Sequence, residues 1–171
     1  MKLAASIATL ILVGSAFAQV PAAPAEMAKL GFMVGSWTST GSASGPDGSK
    51  ETSKGSGMAA MVHDGMWLKF DVKETMEKSG KMDGHMMLGW DAAKGMYRGA
   101  WFDNMSSSLM TFQGKMEGNK LVMTSDPVNH MGMDMKFRLT YEAKAANELM
   151  FTLDMDMEGK WVPAMTITYK K

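Results

Sequence analysis

Residues 131–141 read Met-Gly-Met-Asp-Met-Lys-Phe-Arg-Leu-Thr-Tyr, with apolar residues at every odd position and glycine or polar residues at every even one. A period of two sends successive side chains to opposite faces, so this stretch is expected to be one strand with one buried side. Residues 149–157 repeat the pattern with Leu149, Phe151, Leu153, Met155 and Met157. Residues 161–169 do so with Trp161, Pro163, Met165, Ile167 and Tyr169. Met66, Leu68, Phe70 and Val72 make another apolar row, as do Met82, Met86, Leu88 and Trp90, and more briefly Met110, Phe112 and Met116. Less regular strands fit residues 34–42, 53–63, 96–103 and 119–125. A chain written this way has to stack sheets or close one.

Turn signals separate the rows at even spacing. Asp64-Gly65, Ser79-Gly80, Asp91 to Gly95, Asp103-Asn104, Glu117-Gly118-Asn119, Ala145 to Asn147 and Glu158-Gly159 all read as short hairpin connections. About ten strands of ~11 residues with ~3-residue turns fill residues 31–171. No helix-length segment interrupts them, which excludes parallel βαβ folds. The expected fold is all-β, an up-and-down antiparallel β-barrel of about ten strands. The Ser/Gly/Thr-rich stretch 38–57 is expected to hold the first two strand ends around a hairpin loop, not a domain linker.

Three segments are expected along the chain. Residues 1–18 read as a signal peptide: Lys2, an apolar run over 3–13, and Ala16-Phe17-Ala18 as the cleavage site before Gln19. The run is too short to span a bilayer, which needs ~20 apolar residues. Residues 19–30 form a flexible lead and a short helix, with Pro24 at its start, Glu26 in its first turn and Gly31 at its end. Residues 31–171 form the single barrel domain. The chain is therefore expected to be periplasmic or secreted and not membrane-spanning.

Composition narrows the function. Eighteen Lys+Arg balance eighteen Asp+Glu, which argues against a nucleic-acid partner. There is no cysteine, so disulfides, thiol catalysis and thiolate metal sites are excluded. Three histidines are scattered with no nucleophile elbow, and no catalytic residue or enzyme activity is assigned. Gly55 to Ala60 matches G-x-G-x-x-A, but no helix follows it, so a dinucleotide site is rejected. Asp154, Asp156 and Glu158 imitate the start of a calcium loop, yet the closing position is Met165.

The unusual number is 22 methionines. His130-Met131-Gly-Met133-Asp-Met135 and His85-Met86-Met87 resemble sets that bind Cu(I) through thioether sulfur. Their spread over nearly every strand instead fits methionine as a flexible core filler. His85 falls on the polar face of its strand by parity, opposite Met86 and Leu88. An outer-membrane barrel would also alternate, but it would carry aromatic girdles and usually an aromatic C-terminus, where this chain ends Tyr169-Lys170-Lys171.

Leu30-Gly-Phe-Met-Val-Gly35-Ser-Trp37, Leu88-Gly89-Trp90-Asp91 with Tyr97 and Trp101-Phe102-Asp103, and Met165-Thr-Ile-Thr-Tyr169-Lys170 together resemble the bacterial domain of unknown function 1579 family. Where a Gly-Gly-Arg is associated with the family's third strand, this chain has Asp64-Gly65-Met66. The resemblance implies a lipocalin-like (calycin) barrel and little about function. A similar calycin group binds haem through an interior histidine; the one late histidine here, His130, precedes its strand, and no cofactor is assigned.

The leading expectation is a barrel, monomeric or weakly dimeric, whose interior binds a small apolar or amphipathic molecule. A filled barrel acting as a structural or interaction module is the alternative, and a periplasmic Cu(I) binder using Met and His is a further one. The ligand-binding residues expected at one barrel mouth are Trp37, Trp90, Asp91, Tyr97, Trp101 and Asp103. A Trp pair with a carboxylate can orient a ligand's polar head. The same residues also suit a plain structural role, the tryptophans in the core and Asp91 and Asp103 starting turns.

Overall fold

A computed structural model of the protein describes residues 21–44, 49–130 and 133–171. The expected signal peptide, residues 1–18, lies outside them. One α-helical turn (α1, Ala25–Ala28) runs into a 3-10 turn (Lys29–Met33). Pro24, expected as the first helical residue, stands one position earlier at the N-cap, and Gly31 sits inside the second turn and does not end it. Among the described residues twelve strands follow: β1 (Gly35–Ser44), β2 (Lys50–Val62), β3 (Trp67–Met76), β4 (Gly80–Asp91), β5 (Met96–Asp103), β6 (Met110–Glu117), β7 (Lys120–Ser125), β8 (Val128–His130), β9 (Met133–Met135), β10 (Phe137–Ala145), β11 (Glu148–Met157) and β12 (Lys160–Lys170).

Ten of these close into a barrel in the order β1-β12-β11-β10-β7-β6-β5-β4-β3-β2, while β8 and β9 form a separate two-stranded sheet. Every barrel strand is antiparallel to its chain neighbour, and β1 meets β12 to seal the seam. Closure leaves no free edge, which suits a chain without disulfides. The Gly-rich stretch 55–60 lies within β2, as a paired strand and not a phosphate loop.

The single strand expected over 131–141 is two elements. β9 pairs with β8, whereas the barrel ladder with β7 starts at Arg138↔Thr124. Pro127 has no N–H to give a ladder, so the chain leaves β7 and folds a small hairpin before returning. The Ser125 hydroxyl accepts the Phe137 N–H at 2.9 Å and marks the return. Met133 and Met135 belong to β9 and not to β10; Met131 lies outside the described residues, as does the side chain of Met133.

A second difference lies in β12. Leu153 pairs with Met165, but Asp154 pairs with Pro163, so Ala164 is an extra residue. One inserted residue reverses which face each side chain takes. Met165, Ile167 and Tyr169 therefore point inward, while Trp161 lies outside under the Arg138 guanidinium, 4.9 Å from its ring centroid. Pro163 is tolerated because a bulge interrupts the ladder there. Asp154, expected on the solvent face, is buried on the outer wall by the same Arg138, with Nη2–Oδ2 at 2.7 Å. Met66 is likewise not in β3; it belongs to the turn after His63, where Asp64-Gly65 also sit.

The barrel is closed at one end. Leu30 and Met33 from the helical segment are fully buried, and the Tyr97 hydroxyl donates to the Glu26 carbonyl at 2.7 Å. Trp37 Nε1–H donates to the Met33 carbonyl at 2.8 Å, and the Lys171 ammonium lies 4.4 Å from the Trp37 ring centroid. The segment is a plug, pinned by β1, β5 and the C-terminal residue.

Candidate functional site

Above the plug the interior is packed by Leu68, Met86, Leu88, Phe112, Leu121 and Met123, all essentially inaccessible to solvent. Buried methionines among leucines are what core filling predicts. An aromatic layer follows. Phe70 lies 5.5 Å from Tyr169 and 6.0 Å from Tyr141, and Tyr141 lies 4.8 Å from Phe151, centroid to centroid. Gly57 makes room for it, since a Cβ there would fall 2.5 Å from the Phe70 ring. These rings divide the barrel into a solid half and a hollow one.

The hollow half holds a cavity of about 210 Å3. Tyr141, Phe151 and Tyr169 contribute to it from the aromatic layer; its walls include Met82, Trp101, Met110, Phe137, Leu153 and Met165. Its size exceeds the ~150 Å3 engineered cavity that takes up benzene, and falls short of the ~300–1,000 Å3 typical for drug-sized ligands. It suits one or two rings, or a short alkyl chain. Three of its wall residues are methionines, whose unbranched side chains adapt to differing shapes.

Of the six residues expected at one mouth, two reach this cavity. Trp101 and Asp103 both line it. The Trp101 indole N–H donates to Asp103 Oδ2 at 2.6 Å, and Asp103 Oδ1 accepts the N–H groups of Met105 and Ser106 at 2.8 and 3.2 Å. One carboxylate thus starts the turn after β5 and holds the indole in place. The Trp101 ring lies across Gly84, where a Cβ would come within 2.2 Å of it.

The other four sit at the plugged end. Trp90 pairs with Tyr97 across β4 and β5, their rings edge-on at 5.0 Å. Tyr97 and Trp37 hold the plug, and Asp91 caps its turn by accepting the Lys94 N–H at 3.1 Å. Tyr97 and Trp101 are four residues apart on one strand, roughly 13 Å. The shared face is real, but a strand that crosses the whole barrel carries it from one end to the other. Burial raises the Tyr97 hydroxyl pKa, with Glu26 adding to the shift, so it stays a neutral donor.

His85 does lie on the outer face, its Nδ1 2.6 Å from Asp71 and its ring 5.3 Å from Phe102. Among the described residues no group of three His, Cys, Asp or Glu could hold a metal ion.

Sequence reasoning missed Glu74. It is buried at 3% exposure on the inward face of β3, two residues after the cavity-lining Val72. Its cross-strand partner on β4 is Met82, itself a cavity residue. The Ser39 hydroxyl donates to Oε1, Ser53 also bonds the carboxyl, and Oε2 is buried with no hydrogen-bond partner among the described residues. Burial pushes its pKa above the ordinary glutamate value, only partly opposed by Ser39 and Ser53. The signal was available in outline, because Glu74 shares parity with Leu68, Phe70 and Val72.

Fold and cavity together define a small closed antiparallel β-barrel, plugged at one end and hollow at the other. The chain belongs to the family described as Protein of unknown function (DUF1579), whose profile matches residues 23–171. No curated protein matches it. It is similar in structure to Rv2717c from M. tuberculosis, with a TM-score of 0.66 and 13% identity over 87% of this chain and 98% of that one. It is also similar to the S-type phycobiliprotein lyase CPES from Guillardia theta, with a TM-score of 0.57 and 12% identity over 83% and 89%. At these identities the likeness concerns the fold.

Proposed function

We propose that the protein is an exported binder of a small apolar or amphipathic molecule, held in the hollow half of the barrel. The observation that carries this reading is the 210 Å3 cavity, bounded almost wholly by apolar and aromatic side chains and set apart from a solidly packed half. A barrel built only for stability would fill both halves, since unfilled apolar space costs contacts that packing would otherwise supply. Residues 1–18 would direct export, with cleavage after Ala18. The mature chain would act as a monomer or weak homodimer, and no reaction is required of it.

Native mass spectrometry of the mature protein, purified from its own host without organic solvent, tests this directly. The expected result is a retained species of small organic mass. A bare chain that takes up nothing from a host lipid extract would favour the filled-barrel alternative. A retained copper ion would favour metal binding through methionine and histidine.

A further inference from the structure

The cavity's charge is one-sided. Among the described residues, Asp103 is the one ionisable acid or base in its lining, tyrosines aside, and no lysine, arginine or histidine lines it. Glu74 stands just behind the wall, a cross-strand pair apart from Met82, which places their Cβ atoms about 5 Å from each other. It is a second carboxyl group without a cationic partner among the described residues. The two differ in how well they are satisfied. Asp103 accepts from Trp101, Met105 and Ser106, whereas Oε2 of Glu74 has no hydrogen-bond partner among the described residues.

A buried carboxyl oxygen without a partner loses its hydration and receives nothing in return. An acidic ligand would add a like charge beside it and leave its own carboxylate with no cation to meet. A purely apolar ligand would leave Oε2 as it is. A ligand carrying an ammonium group would supply both the hydrogen bond and the countercharge.

We propose that the molecule held in the barrel is a small lipophilic amine, its apolar body among Trp101, Phe137 and Met165 and its ammonium group against Glu74. This deepens the binding function above and rests on it. Met82, flexible at three torsions, is the side chain that turns to let the nitrogen through. The other groups facing this position are the Ser39 and Ser53 hydroxyls from β1 and β2 and Tyr169 from β12, whose phenol burial holds far above its usual pKa. Asp103 remains engaged with its own turn.

The test uses two probes of equal shape, propylbenzene and 2-phenylethylamine, with 3-phenylpropionate as the acid. Dissociation constants are measured by NMR titration on the mature wild type, Glu74→Gln and Asp103→Asn. The amine is expected to bind the wild type and to weaken at least tenfold in Glu74→Gln, with a smaller loss in Asp103→Asn, where the Trp101 indole is loosened but the ammonium keeps its partner. Propylbenzene should change less than twofold in Glu74→Gln, and the acid should not bind. On the wild type alone, amine affinity should rise with pH as Glu74 ionises, while propylbenzene affinity stays level. Propylbenzene binding without the amine, equal amine binding to wild type and Glu74→Gln, or preference for the acid would each overturn the amine and leave the cavity reading intact. If none of the probes binds, the cavity reading falls and the amine with it.

Discussion

Glu74 and Gly84 show how single residues shape the hollow half of the barrel. The folded-state pKa of Glu74 is raised by burial, so its charged form is disfavoured in the native protein relative to the unfolded chain. Its contribution to stability is full below the unfolded value near 4.5 and is lost as pH rises through the higher folded value. Glu74→Gln removes that dependence. Urea melts from pH 4 to pH 8 should therefore show the wild type losing stability relative to Glu74→Gln, with the variant the more stable at pH 7. Equal slopes for the two would mean the carboxyl is solvated. Gly84 has a different role, because Trp101 lies flat over it. Gly84→Ala forces the indole aside and should cost about 1–3 kcal/mol, the range for overpacking. It should also break the Trp101–Asp103 hydrogen bond, read as a shift of the indole N–H resonance.

At the scale of elements, the plug closes one end and the bulge at Ala164 resets which β12 side chains face inward. The plug is attached through few bonds, so each is measurable: Tyr97→Phe removes the bond to the Glu26 carbonyl and should lower stability by about 0.5–1.5 kcal/mol, with faster hydrogen exchange in α1. The segment ahead of it carries the expected export signal. Ala18→Asp should block processing, because the cleavage site takes small residues; a variant processed as efficiently as the wild type, with a mature N-terminus other than Gln19, would place the site elsewhere. The rows of alternating apolar residues made most strands legible in the sequence, since Leu68, Phe70 and Val72 or Met86 and Leu88 point inward as parity demands. Parity fails wherever register changes. The extra residue at Ala164 sends Trp161 and Pro163 outward, and Pro127 detaches β8 and β9 from the wall. Both prolines were visible signals of interruption, but alternation in residues 131–141 and 161–169 ran straight across the breaks.

For the whole molecule, ten strands joined in chain order explain both closure and the ambiguity of the candidate site. Residues only four apart on β5 stand toward opposite ends of the barrel, so parity identified Trp101 and Asp103 as inward-facing without telling their end from that of Tyr97. Glu74 was harder to read, because an acid in an apolar row looks like an interruption until the fold shows Ser39 and Ser53 beside it. The central claim is that the hollow half accepts a small apolar molecule, and the methionines themselves report on it. With 13C-methyl methionine, titration with propylbenzene should shift Met82, Met110 and Met165, which line the cavity. Met27 and Met33 in the plug and the exposed Met58, Met105 and Met157 should stay unchanged. Saturable shifts confined to the first three are the predicted result; no shift up to the solubility limit, or shifts at Met58, Met105 and Met157 alone, would contradict it.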